Sequence, residues 1–404
     1  MTALLKGQFQ KQVEQETKNI FNFWIDNAID TENQGFYGEI TNDLLINKEA
    51  EKGLILNSRI LWAFSLAYRE LEDQRYLEIA DRAYDYLLQN FWDKEYAGMY
   101  WMLDSQGNVV NDRKQIYGQA FSIYAFSEYY LATGKEESLE QAIELFELIE
   151  RYSYDSENKG YIEACSREWN ELEDLRLSEK DMNEKKSMNT HLHILEAYTN
   201  LFRVWKDKRL EEQLKELIEV TIEYIIDSQT YHFILFFDEK WTSKSDLFSY
   251  GHDIEGSWLL YEAAEVLGDQ ELIEKVAEIA VKMAEVTYEE GLDEDWAVLY
   301  EGDPTGIIDS DKHWWPQAEA VVGFLNAYQL TDEDKYLEVA KNIWSFIEER
   351  IIDQEYDEWF WMVSKEGIVN NQISKVNSWK GPYHNGRACF EIVNRLEKIK
   401  REMN

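Results

Sequence analysis

A short element that returns six times constrains the fold of this chain more than any other feature. Each copy is a polar, acidic turn followed by aromatic residues, at residues 30–38, 92–101, 154–161, 227–233, 293–300 and 353–361. The spacing is about 60–70 residues, which marks a repeat architecture with a period longer than the common solenoids. Two helical runs fit between copies. Apolar periodicity predicts runs at residues 8–28, 57–70, 74–91, 115–133, 136–152, 188–206, 210–226, 253–267, 270–289, 315–330, 334–350 and 385–402, twelve in all. With only 3 prolines in the chain, long helices are favoured over turn-rich sheet.

The pattern sorts the twelve into two sets. Runs at 75–91, 136–152, 210–226, 270–289 and 334–350 mix acidic and apolar residues as surface helices do. Runs starting near Leu56, Tyr117, Asn189, His252, Trp315 and His384 are richer in small, apolar and special polar residues. Tight joints such as Thr133-Gly134-Lys135 and Leu267-Gly268-Asp269 lead from the second set to the first. The expectation is an all-α fold of six antiparallel hairpins in a closed double ring, with one helix of each facing the axis. The long aromatic connections then crowd the rim at the N-termini of the inner helices, where the polar intervals 172–186 and 302–312 read as rim loops. No stretch reads as an interdomain linker, so residues 1–404 are expected to form one domain.

Composition narrows the partners. A net charge of −39 disfavours nucleic acid and anionic membranes. No run approaches the ~18 apolar residues of a membrane span, and Met1-Thr2-Ala3-Leu4-Leu5-Lys6 does not resemble a secretion signal. The cytoplasm is the expected location. Cys165 and Cys389 read as buried small residues, not a disulfide framework. Aromatic residues make up 14% of the chain, with 15 tryptophans, which suits a cleft that stacks on flat faces such as those of sugars.

The inner N-termini carry the chemistry. They present Asn57-Ser58-Arg59, Tyr117, Asn189 with His191 and His193, His252 with Glu255, Trp315 with Glu319, and Trp379 through His384 to Arg387. His252 and Glu255 are three apart and share a helical face. His191 and His193 are two apart, about 200° around a helix, so only one can face the axis. His193 is taken as that one, and His191, His232 and His313 are read as structural. Arg59 is either an inward ligand group or the partner of Glu255 or Glu319. Glu196, Glu319 and Glu391 could be buried structural partners, and Trp315 and Trp379 either core or sugar-stacking platforms. No compact chelate, phosphate loop or nucleophile elbow is present, so no metal and no cofactor are expected. Histidines around one pocket suit abstraction of a proton next to a carbonyl. Arg59 and the helix N-termini would stabilise the enediolate. A glycoside hydrolase, working through paired carboxylates, and a silent sugar-binding protein remain open.

At Leu56-Asn57-Ser58-Arg59-Ile60-Leu61-Trp62, Met188-Asn189-Thr190-His191-Leu192-His193, Tyr250-Gly251-His252-Asp253-Ile254-Glu255 and Pro382-Tyr383-His384-Asn385-Gly386-Arg387, the sequence resembles the N-acylglucosamine 2-epimerase superfamily. The closest likeness is to the branch that acts on β-1,4-linked disaccharides. The resemblance implies an (α/α)6 barrel and inversion at C2 of a reducing-end glucose in cellobiose, lactose or mannobiose. It implies His252 and His384 as the acid/base pair, His193 near O1 and ring opening, and Arg59 on the enediolate oxygens. Tyr117, Asn189, Glu255 and Glu319 would bind or orient, and Trp315 and Trp379 would stack. It implies no metal or nucleotide. Monosaccharide-acting relatives, either N-acylglucosamine epimerases or aldose–ketose isomerases, stay open, as does a monomer against a homodimer.

Overall fold

The structure, a computed structural model, describes residues 3–402. Twelve α-helices lie among the described residues. The outer ring comprises α1 (Ala3–Asn27), α3 (Gln74–Tyr86), α5 (Glu136–Tyr152), α7 (Lys208–Val220), α9 (Gln270–Glu290) and α11 (Asp334–Phe346). The inner ring comprises α2 (Leu54–Leu71), α4 (Ile116–Thr133), α6 (Met188–Val204), α8 (Tyr250–Leu267), α10 (Trp314–Thr331) and α12 (His384–Glu402). α3, α7 and α11 each widen into a final π-helical turn. No helix among the described residues is long and apolar enough to cross a membrane.

The two rings follow from burial. An outer helix has one buried stripe: in α5 only Ser138, Ala142, Leu145, Phe146 and Ile149 are buried, at the three-and-four spacing of one face. An inner helix is enclosed on all sides. In α4 every residue from Ile116 to Tyr129 is buried. The inner helices pack in chain order. α1 pairs with α12, and Phe21 of α1 touches both Phe64 of α2 and Phe390 of α12, so the first outer helix seals the seam of the ring. The tight joints turn through left-handed residues, as at Gly134 (φ 70°) and Gly268 (φ 82°). Cys165 and Cys389 are both free and buried.

The rim is a belt of strand pairs. The residues leading into each inner helix pair with the next connection along the chain. Lys52–Gly53 pairs with Met102–Leu103, Lys114–Gln115 with Ala164–Cys165, and Lys186–Ser187 with Phe236–Phe237. Phe248–Ser249 then pairs with Glu301 and Gly302, and Lys312–His313 with Met362–Val363. A bridge between Ile40 and Val376 closes the circle. The interval 302–312, expected as a loop, is largely a hairpin of Glu301–Asp303 with Gly306–Asp309. α2 and α8 begin three residues before their periodicity does, because the paired strands run directly into the first helical turn.

The repeated turn has a physical role that the sequence reading did not reach. In most copies its first aspartate accepts two backbone N–H groups of the turn, as Asp30 does from Glu32 and Asn33. A lysine later in the same connection, two residues before the inner helix in four of the copies, then neutralises it. Lys52 bonds Asp30 at 2.7 Å, Lys114 bonds Asp93 at 3.0 Å, and Lys186 bonds Asp155 at 3.0 Å. Lys312 bonds Asp293 at 3.0 Å, and Lys375 bonds Asp353 at 2.5 Å. These lysines are buried, so the carboxylate that each would abandon has little water to turn to. Lys52→Met is expected to cost about 3 kcal/mol of unfolding free energy, by the logic of an ion pair broken from one side. Denaturant unfolding measures it, and a loss below about 1 kcal/mol, the size of a surface pair, would show that the clamp is idle.

Candidate active site

Helical spacing decides which inner side chains look down the axis. Along the first three turns, the second or third, sixth and ninth residues share a face. They are Tyr117, Phe121 and Tyr124 on α4, and Asn189, His193 and Glu196 on α6. They are His252, Glu255 and Trp258 on α8, and Trp315 and Glu319 on α10. Arg59 and Trp62 hold the sixth and ninth places on α2. The fourth residue points the other way and fastens the adjoining turn. Gln119 bonds both backbone groups of Met99, Gln317 does the same for Val298, and His191 accepts the Tyr161 N–H at 2.9 Å. His191 is therefore structural, as expected.

Two of the three axial histidines are aimed by carboxylates. His384 Nδ1 lies 2.7 Å from Glu319 and His193 Nδ1 lies 3.0 Å from Glu196. A proton held on Nδ1 by the carboxylate leaves Nε2 as the free base. His252 Nδ1 has no hydrogen-bond partner. Its ring packs 4.6 Å from Trp315, which also lies 5.6 Å from His384, so one indole seats both imidazoles. Gly251 permits this approach: a Cβ there would lie 2.7 Å from the Trp315 ring. Burial pushes His252 down to about 3, helped by His193, and holds His384 well below its ordinary value, helped by Arg59 and Arg387. Both stay neutral in neutral water.

Beneath them lies a hub that the sequence reading quoted without assigning. Arg387 donates to Glu196, and to Glu255 and Glu319 at 2.7 Å each. Its guanidinium also lies over the rings of Tyr383 and Trp258. Arg59, expected to pair with Glu255 or Glu319 if not a ligand group, touches neither. It donates to the Tyr117 hydroxyl at 3.1 Å and to the Trp379 carbonyl, and it lies over Phe121 and Tyr383. The reason is position: Arg387 rises from the same helix as His384, three residues on, and reaches the carboxylates first. Burial raises Glu255 to about 7, with Glu319 adding to the rise. Burial also raises Glu319, against Arg387. Glu196 falls below its usual range because Arg387 and His193 outweigh its burial.

Glu255, Glu319 and His384 present ligand atoms within 4.8 Å of one another, a spacing compatible with a metal ion. The Arg387 guanidinium already bonds both carboxylates, however, and His384 Nδ1 is held by Glu319. The cationic place in this cluster is filled by protein.

Glu319 spends both oxygens internally, on Arg387 and His384 through one and on Trp258 through the other. Glu255 keeps Oε2 without a partner, and so do Asn189 Oδ1 and Arg59 Nε. Buried polar atoms are seldom left unpaired, and their gathering on the axial face marks where a polar ligand completes the bonding. Trp379 remains partly exposed beside Trp101 (5.8 Å) and Tyr117 (6.2 Å), an open aromatic shelf at the mouth. His232 and His313 lie off this face. His313 stacks on Tyr300 at 3.9 Å, and His232 on Phe248 at 3.8 Å.

Known proteins are similar to this chain over nearly their whole length. The chain is 48% identical to a cellobiose 2-epimerase of Bacteroides fragilis over 97% of this chain and 100% of that one. It is 42% identical to a cellobiose 2-epimerase of Dictyoglomus turgidum, over 93% and 96% of the two chains. The solved structure of cellobiose 2-epimerase from Bacillus thermoamylovorans superposes with a TM-score of 0.92 at 40% identity, covering 96% of this chain and 100% of that one. The twelve-helix double ring is thus an (α/α)6 barrel. The family model for N-acylglucosamine 2-epimerase matches residues 35–386. With a matching fold and relatives at this identity, the chain belongs to the N-acylglucosamine 2-epimerase family.

Proposed function

We propose that this protein is a cellobiose 2-epimerase, inverting C2 of the reducing-end glucose of β-1,4-linked disaccharides. The observation that carries the reading is the pair of neutral imidazoles, His252 and His384, seated on one indole. The relatives of the preceding subsection support the substrate class.

The reaction starts from the open-chain aldehyde, with His193 beside O1 assisting ring opening. One neutral imidazole takes the proton from C2. The electron pair of that C–H bond forms the C1=C2 double bond, and O1 becomes the oxyanion of a cis-enediolate. Arg59, always charged, faces that oxygen together with the Tyr117 hydroxyl. The opposite imidazole takes up a proton from solvent beside the new negative charge and delivers it to C2 as the enediolate collapses, which gives the mannose epimer and returns that ring to its neutral form. Both imidazoles re-equilibrate with solvent between turnovers. Glu319 holds His384 in its reactive tautomer, and Glu255 and Asn189 offer their unpaired oxygens to sugar hydroxyls. Trp315 backs the reacting carbons, and Trp379 stacks on the second sugar. Cellobiose, lactose and mannobiose all present the required end. The reading takes the cytoplasm as the compartment, in keeping with two unpaired thiols.

Proton NMR of cellobiose incubated in heavy water tests the proposal. The expected result is a mannose-terminated product carrying deuterium at C2. Unchanged cellobiose and lactose would overturn it, and release of free glucose would favour a hydrolase. Turnover of N-acetylglucosamine in place of the disaccharides would move the substrate to the monosaccharide relatives.

A further inference from the structure

Five of the six connections are closed by a buried lysine on the turn aspartate, and the fourth is not. Phe248 stands where the lysine would be, two residues before its inner helix. The ring of Phe248 lies flat on His232, with 3.8 Å between centroids and 6° between planes. His232 Nδ1 lies 2.7 Å from Asp253 of α8, and Nε2 lies 3.4 Å from Glu290 of α9. The other titratable groups around this imidazole are Asp227, which opens the turn, and Tyr250, whose ring stands edge-on at 5.8 Å. Asp253 completes the fastening with its other oxygen, which accepts the Phe233 N–H at 2.7 Å.

Asp253 is the neighbour of His252 in the chain. His193 and His384 are each aimed by a carboxylate on the side chain, but His252 has none. Apart from its packing on Trp315, its aim is therefore that of the backbone in the first turn of α8. Two side-chain contacts fasten that turn beside the strand pair that enters it: a long bond from the His252 N–H to the Ser249 hydroxyl (3.4 Å), and the short, fully buried bonds of Asp253. Resting on the reading of His252 as one of the two bases, we infer that His232 and Asp253 are positioning residues for His252, acting through the first turn of α8.

The exchange of lysine for histidine has a consequence at this copy alone. A lysine ammonium keeps its charge across the working range of pH, and an imidazolium does not. Burial opposes the charge on His232, but Asp253 and Glu290 more than offset it and raise the imidazole above its ordinary value. A group raised in the fold stabilises fully below its unfolded value near 6.5. It loses that contribution as pH rises through the folded value. The first turn of α8 is accordingly tightest at low pH and loosens as pH rises through the raised value of His232.

His232→Gln keeps a donor of similar reach and cannot carry charge. With cellobiose as substrate, kcat is expected to fall roughly tenfold near pH 6.5, the scale of a small misplacement of one reacting group. KM should be little changed, and the alkaline limb that His232 gives the wild type should be absent. The His252 Cε1 resonance should shift in the same variant. An unchanged kcat, or a loss equal at every pH with KM rising in step, would overturn the inference. If His232→Gln folds poorly, adding Phe248→Lys restores a lysine clamp on Asp227. The double variant is then expected to recover its melting temperature but not the pH limb, and recovery of both would make the role merely structural. Should the wild type fail to epimerise cellobiose, the proposed function falls by itself, because the His252 resonance reports the coupling without turnover.

Discussion

Arg387→Met should be the most damaging single change to stability, costing about 5 kcal/mol of unfolding free energy at neutral pH, the upper end for a buried pair broken from one side. Methionine fills much of the same space, so packing is largely kept. What is lost is the one cation that Glu196, Glu255 and Glu319 share, all of them buried. The sign of the pH dependence separates charge from packing. Without Arg387 the carboxyl of Glu196 loses what holds it low, and those of Glu255 and Glu319, which burial already raises above the unfolded value near 4.3, rise further. Groups raised in the fold bind protons more readily there, so the deficit of the variant shrinks as pH falls from about 7.5 toward 5. Urea unfolding at both pH values checks this. An equal deficit at the two would mean that the arginine acts by filling space. Epimerase activity should be lost at either pH, because Glu319 would no longer hold His384 in place.

Removing either imidazole base should lower epimerisation by about 10²–10⁴-fold, the usual worth of a positioned acid or base. His252→Asn and His384→Asn differ in an informative way. If the two rings serve opposite faces of C2, each variant retains the base for one face. One variant should then exchange the C2 proton of cellobiose with heavy water without making the epimer, and the other should do so with the mannose-terminated sugar. Mass spectrometry of recovered sugar reads both. Exchange lost entirely in both variants would mean that the rings act on one face in series. Variants that keep the full behaviour of the wild type would leave only sugar binding for this site.

Most of the fold was legible because its signals are local. Twelve periodic runs and six returning turns required no knowledge of what packs on what, and they led to the double ring and to the long connections at the N-termini of the inner helices. The site was legible only to the depth of single helices. His252 with Glu255 could be read as one face because three residues separate them. The same spacing links His384 to Arg387, and that signal was present and unused. Its meaning depends on Glu196 and Glu319, which lie 191 and 68 positions away in the chain. The lysine clamps escaped for a similar reason. A lysine before a helix reads as an ordinary surface charge until the turn aspartate, some 20 to 30 residues earlier, is seen beside it. Gly251 has its sense only beside Trp315 on a neighbouring helix.

The belt of strand pairs at the rim also bears on how the protein comes into being. Each connection is completed by the one that follows it, and the circle is joined by Ile40 and Val376, which stand at opposite ends of the chain. The proposed substrate site straddles that same join, since Arg59 meets Tyr383 and the Trp379 carbonyl across it. A nascent chain can build hairpin after hairpin on the ribosome, but it has no pocket until its last hairpin arrives. Catalytic competence in this architecture appears in one step, when α12 docks on α1 and closes the ring.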